Sequence, residues 1–488
     1  MVLALLAVLA AVLRLRDYHS WEFWGDEVGT LEWSRKPVGE ILGTYTFHMT
    51  MHLFVLIEKV IGSLLGESVQ AFRLVPAACG IVTIPAVYLL ARGFGTRVSA
   101  LVAAAFAAGS SHLILQSQNA RVYAASALVW ILAGVVLVKA AHSLRWIWWV
   151  FWSALATAGM LFSLQGMPLF LAQSIGVALL LRISRKGWPA LARLLVGGGI
   201  ACGVSFLFYA RLAGQFVAFA ERDATYARTP FNLAWIGITW VELARPLPWV
   251  LLLLAVTGVI LAIRRQRLAL FLVAWWILPM VNPYLYGIHP QRSLDFLSRL
   301  LLPALPAAIV LAALALDHVR SRFAPLRSGS GSVGVVLLVG LLALWPDPEI
   351  RALLFKGPPY SRLPAALAEG QANETLIHGP SWGDESLAII HPRLQWRSFG
   401  SIAAALWPEG PFRGERSFLP QFPSRFAIVT HVRTGVPLTM SGPLSVSVLG
   451  DEERAVEFAI VRGSAETTEE LRQRFREFSR GFAGFVRP

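Results

Sequence analysis

Residues 146–181 read WIWWVFWSALATAGMLFSLQGMPLFLAQSIGVALLL, thirty-six positions without one charged side chain. A hydrocarbon core about 30 Å thick is crossed by roughly 20 helical residues, so the run is too long for one span and long enough for two. Its turn-like punctuation is Gln165-Gly166-Met167-Pro168, which predicts a tight hairpin there, with helices over about 146–163 and 167–182.

Charge-free stretches of similar length recur on both sides. They predict further spans at about 1–16, 74–91, 98–115, 122–141, 194–211, 247–263, 268–284, 300–316 and 331–346. With the hairpin this makes about eleven transmembrane helices, a polytopic α-helical membrane protein. The composition of the 488 residues agrees: 56% are hydrophobic and 15% charged, against about 45–50% and about 25% in soluble domains. A disordered chain and an ordinary soluble enzyme are excluded. Cys79 and Cys202 both lie in apolar runs, so neither a disulfide framework nor a zinc site is implied.

The formal charge of +14 and a pI near 10.4 would suit a nucleic-acid partner only if the basic residues clustered in polar sequence. Here they punctuate apolar runs. The connections after the second, fourth, sixth, eighth and tenth spans carry fourteen Lys and Arg, from Arg92 and Arg97 to Arg320, Arg322 and Arg327, against Asp317 alone, or +13. The excess of Lys and Arg in cytoplasmic loops therefore puts these connections and the N-terminus inside. Asp17–Glu67 carries −5 and faces outward. Arg14 and Arg16 close the first span at its outer end; either the true start lies upstream of Met1 or both side chains snorkel at the interface. The charge is an orientation signal, and no nucleic-acid partner is expected.

From Asp347 to Pro488 the chain has sixteen basic and sixteen acidic residues, frequent Pro and Gly, and short apolar segments such as Phe426–Val429 and Val456–Val461. A helical pattern follows at about Thr467–Arg480. This predicts a small soluble α+β domain at 347–488 on the outer face. Residues 1–346 form the membrane domain, with the outer loop 17–70 carrying interfacial helices.

Three outer clusters hold the chemistry. In the first, Trp21-Glu22-Phe23-Trp24-Gly25-Asp26-Glu27 precedes an amphipathic stretch, 37–65, that contains His48, His52, Glu58 and Lys59. Such a stretch fits a helix lying in the interface. Paired carboxylates among tryptophans can be partly desolvated, which makes a better proton acceptor, or they are an acidic loop within an aromatic belt. In the second, Gln116–Tyr123, the amides, Arg121 and Tyr123 could bind a sugar or phosphate or cap two helix ends. The third, Tyr284–Arg299, includes Tyr286, His289, Gln291, Arg292, Asp295 and Arg299. An arginine at a helix N-terminus there would suit a lipid phosphate, or it contacts headgroups.

Together these stretches resemble the family 39-type glycosyltransferases of the GT-C superfold, whose relatives include protein O-mannosyltransferases and lipid A aminoarabinose transferases. The resemblance rests on Gly25-Asp26-Glu27, an interfacial helix opened by a histidine, Phe72-Arg73-Leu74-Val75-Pro76, Ser117-Gln118-Asn119-Ala120-Arg121-Val122-Tyr123, and Arg299-Leu300-Leu301-Leu302-Pro303-Ala304-Leu305-Pro306. Three positions depart from the family pattern. His48-Met49-Thr50-Met51-His52 replaces a di-proline motif, Asn119 a glutamate, and Leu300 a tyrosine. Asn119 removes a carboxylate and puts a metal at that position in doubt. His48 and His52, at i and i+4, could hold a divalent metal on one helical face or be interfacial histidines. No cofactor or metal ligand set is assigned.

The resemblance implies an inverting transferase that moves a sugar from a polyprenyl-phosphate donor to a lipid, polysaccharide or protein acceptor at the outer face of the cytoplasmic membrane. Asp26 is the expected base and Glu27 its support. Arg121, Arg299, Arg73 and Arg292 are expected at the donor phosphate. Gln118, Asn119, Tyr123, His48, His52 and His289 are expected at the substrates. A flippase for lipid-linked saccharides would carry ionisable groups near the midplane instead. A non-catalytic envelope scaffold would scatter Asp26, Arg121 and Arg299 over separate faces.

Overall fold

The computed structural model describes residues 1–16, 18, 23, 25–44, 51–163, 166–183, 187–215, 233–264, 270–285 and 294–323, the segments 375–378, 396–398, 425–433, 444–449 and 456–464, and a few further positions beyond residue 330. The chain divides into two compact units, residues 1–18 with 33–351 and residues 19–32 with 352–488. Part of the expected outer loop thus groups with the tail.

The first unit is helical. Its elements are α1 (Val2–Leu15), the end of α2 (Gly25–Arg35), α3 (Val38–Gly43), α4 (His52–Leu65), α5 (Val69–Arg92), α6 (Arg97–Gly109), α7 (Ser111–Ser117), α8 (Tyr123–Ser143), α9 (Trp146–Phe162), α10 (Gly166–Ile183), α11 (Gly187–Ala210), α12 (Leu233–Leu243), α13 (Pro248–Arg264), α14 (Leu270–Leu285), α15 (Leu294–Leu301), a 3-10 turn at Leu302–Ala304, and α16 (Leu305–Arg322). Helices thus occupy the first ten apolar runs, while 331–346 lies almost wholly outside the described residues. Among the described residues, four helices are long and apolar enough to cross a membrane, or up to six if each bent pair counts as one span. One bent pair is α6 with α7, broken by 58° at Ser110. The expected span at 98–115 is therefore not a straight helix. The hairpin expected at 165–168 is a real break, with Gly166 N–H donating to Ser163 O at 2.8 Å.

Alanine and glycine let these helices approach closely, since in hydrocarbon it is packing rather than a hydrophobic drive that joins helices. A Cβ built on Gly258 of α13 would lie 2.2 Å from Leu311 O of α16. Trp130, Trp149, Trp152 and Trp275 are fully buried in the resulting core. The outer surface is inverted relative to a water-soluble protein: Leu195, Phe206, Leu207 and Leu253 are all exposed. That is the surface of a multi-pass membrane protein.

In the second unit five strands, β1 (Thr375–His378), β2 (Trp396–Ser398), β3 (Arg425–Arg433), β4 (Ser445–Leu449) and β5 (Val456–Ser464), form one sheet in the order β2-β1-β3-β5-β4. β1 runs parallel to β2 and β3, and β5 antiparallel to β3 and β4. The two apolar segments singled out in the tail fall within β3 and β5, where Ile428 pairs with Val461 and Val429 with Ile460. Of the helical pattern at 467–480, Glu469, Glu470 and Gln473 are helical and the other positions lie outside the described residues.

Candidate functional site

The break between α6 and α7 shapes the polar centre of the first unit. Ending α6 at Gly109 strands its last carbonyls inside the bundle, where each needs a donor. Arg14 of α1 supplies them: Nη2 donates to Ala107 O at 3.1 Å and Nη1 to Ala108 O at 3.2 Å. Its side chain is 0% exposed. Snorkelling, one of the two expectations for Arg14, is thereby excluded, because its guanidinium is consumed inside the bundle. Arg16 is exposed. Gln118 completes the exchange from the other side, donating Nε2–H to Leu13 O, Arg14 O and Arg16 O at 3.1, 3.3 and 3.0 Å. At Gln118 the geometry is that of a cap on α1.

Gly80 of α5 permits this close approach, since a Cβ there would fall 1.9 Å from Ser117 Oγ and 3.0 Å from Arg14 Nε. On the same helix Arg73 is buried and donates to Tyr18 O at 2.8 Å, which fixes the chain as it leaves α1.

α7 carries His112 and Gln116, one turn apart and both buried. His112 donates a ring N–H to the backbone carbonyl of Ser298, while its Nε2 meets no hydrogen-bond partner among the described residues. The Arg299 and Arg245 guanidinium charges act on the same imidazole. Arg299 is itself buried, with its guanidinium 6.0 Å above the Tyr123 ring at the start of α8. Arg121 and Asn119, in the turn before α8, are also buried, and Arg121 N–H donates to Asn119 O at 2.6 Å. Arg245, between α12 and α13, pairs with Glu242 at 3.2 Å. It is the charged member of a narrow crevice lined by Phe106, Ser110, Leu247, Leu251, Leu305 and Ile309.

Arg299 stands in the last turn of α15 and at the N-terminal end of Ser298–Arg322, a continuous helical stretch long and apolar enough to cross a membrane. The sequence placed it there too, at the entry to a span.

Sequence reading missed His112 and Arg245. His112 lay at the end of a run taken as charge-free, although an ionisable group in an apolar helix is costly enough to flag. Arg245, with Glu242 three residues before it, is polar sequence between two apolar helices, and that interruption was the available signal.

His52 opens α4 with Met51 as N-cap, so the helical face expected to join His48 and His52 is not part of α4. Its Nε2–H donates to Thr44 O at 2.9 Å, and its ring meets Phe208 edge-on at 4.9 Å. His48, His289 and Arg292 lie outside the described residues. Among the described residues no three His, Cys, Asp or Glu side chains converge as a metal site would require.

Asp26 and Glu27 belong to the second unit. They occupy the first turn of α2, where the positive end of the helix dipole favours carboxylates. Asp26 is half-buried and Glu27 is 0% exposed.

Residues 52–202 match the family profile described as dolichyl-phosphate-mannose-protein mannosyltransferase. A search of curated proteins finds no match. Among solved structures, ArnT from Cupriavidus metallidurans in its apo state is similar with a TM-score of 0.60 and 15% identity, covering 93% of this chain and 97% of that one. The same protein bound to undecaprenyl phosphate gives 0.56 and 13%, covering 95% and 98%. The Archaeoglobus fulgidus oligosaccharyltransferase AglB, in complex with an inhibitory peptide and a dolichol-phosphate, gives 0.56 and 14%, covering 88% and 69%. Identities this low define the fold, and that fold is GT-C, shared by membrane glycosyltransferases.

Proposed function

We propose that the protein is an integral-membrane glycosyltransferase that moves a sugar from a polyprenyl-phosphate donor to an acceptor hydroxyl. The observation that carries this is the cationic cluster of the first unit, buried Arg299 and half-buried Arg245 about buried His112, next to the Arg121–Tyr123 turn and opening on an apolar crevice. A charged head on a long apolar tail needs that pairing of guanidinium and hydrocarbon at one membrane-embedded site. The structural relatives bound to undecaprenyl phosphate and dolichol-phosphate support the same donor class.

In the reaction, Asp26 takes the acceptor proton while the acceptor oxygen attacks the anomeric carbon. The bond from that carbon to the phosphate oxygen breaks, and polyprenyl phosphate leaves with both electrons. Direct displacement inverts the anomeric centre. Preorganised cations stabilise the charge that gathers on the leaving phosphate, and Arg299, Arg245 and Arg121 are assigned that role, with Arg73 bracing the chain beside them. Glu27 supports the base. The site faces the outer side of the cytoplasmic membrane, with the N-terminus inside and the tail outside.

General-base removal costs about 10²–10⁴-fold in rate, so purified Asp26→Asn protein should fall by that order in a transfer assay while eluting as the wild type does. Wild-type transfer by Asp26→Asn would overturn the mechanism. Arg299→Ala should raise the donor concentration needed for half-maximal rate, and an unchanged donor requirement would remove Arg299 from the phosphate site.

A further inference from the structure

Between Glu67 and Glu221 the chain contains no Asp or Glu, yet it contains eleven Lys and Arg. Arg73, Arg121 and Arg211 have their places around the polar centre and α11. Three others gather at the opposite end of α8: Lys139 in its last turns, Arg145 as the N-cap of α9, and Arg193 early in α11.

This corner is organised. α8 ends on Leu144 in the left-handed conformation, φ +54°, and Arg193 Nη1 donates to Leu144 O. Lys139 Nζ lies 3.9 Å above the Trp148 ring, and the Arg193 guanidinium 5.4 Å from the Trp146 ring centre. Cation–π contact thus restrains two of the three cations without neutralising them. Lys139, Arg145 and Trp146 are exposed, and Trp188, on the first turn of α11, is 81% exposed. Among the described residues none of the three cations pairs with a carboxylate. From here Ile147, Val150 and Phe151 carry an exposed apolar face along α9.

We propose that this corner binds the phosphate headgroup of an anionic phospholipid from the surrounding bilayer. Two restrained cations, Lys139 and Arg193, stand with Arg145 at the positive end of the α9 dipole, which favours an anion there. Trp146 and Trp188 stand exposed at the starts of α9 and α11, as residues of an aromatic belt at a bilayer boundary would, and the apolar flank of α9 offers a track for acyl chains. A soluble anion would use the cations and leave that flank unused, whereas a phospholipid covers both. Missing counter-charge inside the chain gives the same answer, since juxtamembrane cations without acidic partners attract anionic lipid. The site is separate from the donor cluster: α8 has 21 residues, so about 30 Å of helix lies between Tyr123 and this corner. It rests on the multi-pass reading alone and not on sugar transfer.

The test is native mass spectrometry of the full-length, delipidated protein titrated with phosphatidylglycerol, cardiolipin or phosphatidylcholine. Wild type should bind both anionic lipids in preference to phosphatidylcholine. Each lost cation should weaken that binding about fivefold, so Lys139→Gln/Arg145→Gln should lose about 25-fold while phosphatidylcholine binding stays level. Arg193 is left in place in that variant because it also holds the α8 turn. Arg97→Gln, which removes one positive charge at another loop, should leave binding unchanged. Equal binding of all three lipids by wild type, an unchanged preference in the double variant, or an equal loss in Arg97→Gln would each overturn the site. Displacement of bound lipid by millimolar inorganic phosphate would also overturn it, by making the site one for free anions.

Discussion

His52 has lost its water without gaining a carboxylate. Its ring is enclosed by Phe208 and Tyr209, Nε2–H is given to Thr44 O, and the positive charge of Arg211 acts on it. Burial, the largest cause, pushes its pKa below the ordinary 6.5; Arg211 adds to that, and the Thr44 hydrogen bond opposes it. A folded pKa below the unfolded one means that the unfolded chain binds the proton more readily. The stability held by neutral His52 is therefore full above about pH 6.5 and is lost as pH falls below that value toward the folded pKa. Thermal unfolding in detergent should show the wild-type midpoint falling from pH 7.5 to pH 5, and His52→Gln should flatten part of that fall. Equal slopes in the two proteins would mean that the folded and unfolded chains bind the His52 proton equally well, so that its burial does not lower its pKa. The sequence showed that a histidine stood at the start of an interfacial helix, but its ring partners come from α11, more than 150 residues away, and no local pattern announces them.

At the scale of elements, apolar runs and their charged ends located the helices, because hydrocarbon thickness sets length and the cost of a buried charge sets the ends. The break at Ser110 was not legible. Gly109-Ser110-Ser111 contains no proline, and the helix can end there because Arg14 reaches across to take the freed carbonyls. Close packing was equally hidden, since an unmarked glycine in an apolar run can face a neighbour's backbone or lipid. Gly258 and Gly199 separate the two cases. A Cβ on Gly258 would meet Leu311 C and O at 2.7 and 2.2 Å, and backbone cannot swing aside as a side chain would, whereas among the described residues nothing lies within 4 Å of a Cβ on Gly199. Gly258→Ala should therefore cost about 1–3 kcal/mol or more through overpacking, seen as a lower thermal midpoint. Gly199→Ala should be neutral or stabilise by up to about 1 kcal/mol, as glycine-to-alanine changes do inside unobstructed helices. Similar losses in both would show that α13 and α16 are not in backbone contact.

For the whole molecule, the distribution of charge carried more than any motif did. The motif order located Arg73, Arg121 and Arg299, which are all buried in the first unit. It missed Arg245 and His112, because that cluster is assembled from α7, the α12–α13 turn and α15, and only folding brings these into register. Assignment of 19–32 to the same compact unit as the tail was equally unreadable, since composition changes at residue 347 and nothing at residue 19 resembles a linker. Orientation is a different kind of inference. It uses the whole set of loops, and a +13 excess confined to alternate connections is hard to reconcile with the reverse topology, which would send that charge across the membrane. The proposed chemistry depends on it, because Asp26 lies in the acidic segment before α5. In a Cys79→Ala/Cys202→Ala background, Ser63→Cys in α4 should react in intact cells with a membrane-impermeant maleimide. Ser143→Cys, at the end of α8, should stay unlabelled until the cells are permeabilised. Labelling of Ser143→Cys in intact cells with protection of Ser63→Cys would invert the topology, move Asp26 to the cytoplasmic side and require a donor presented on the inner leaflet.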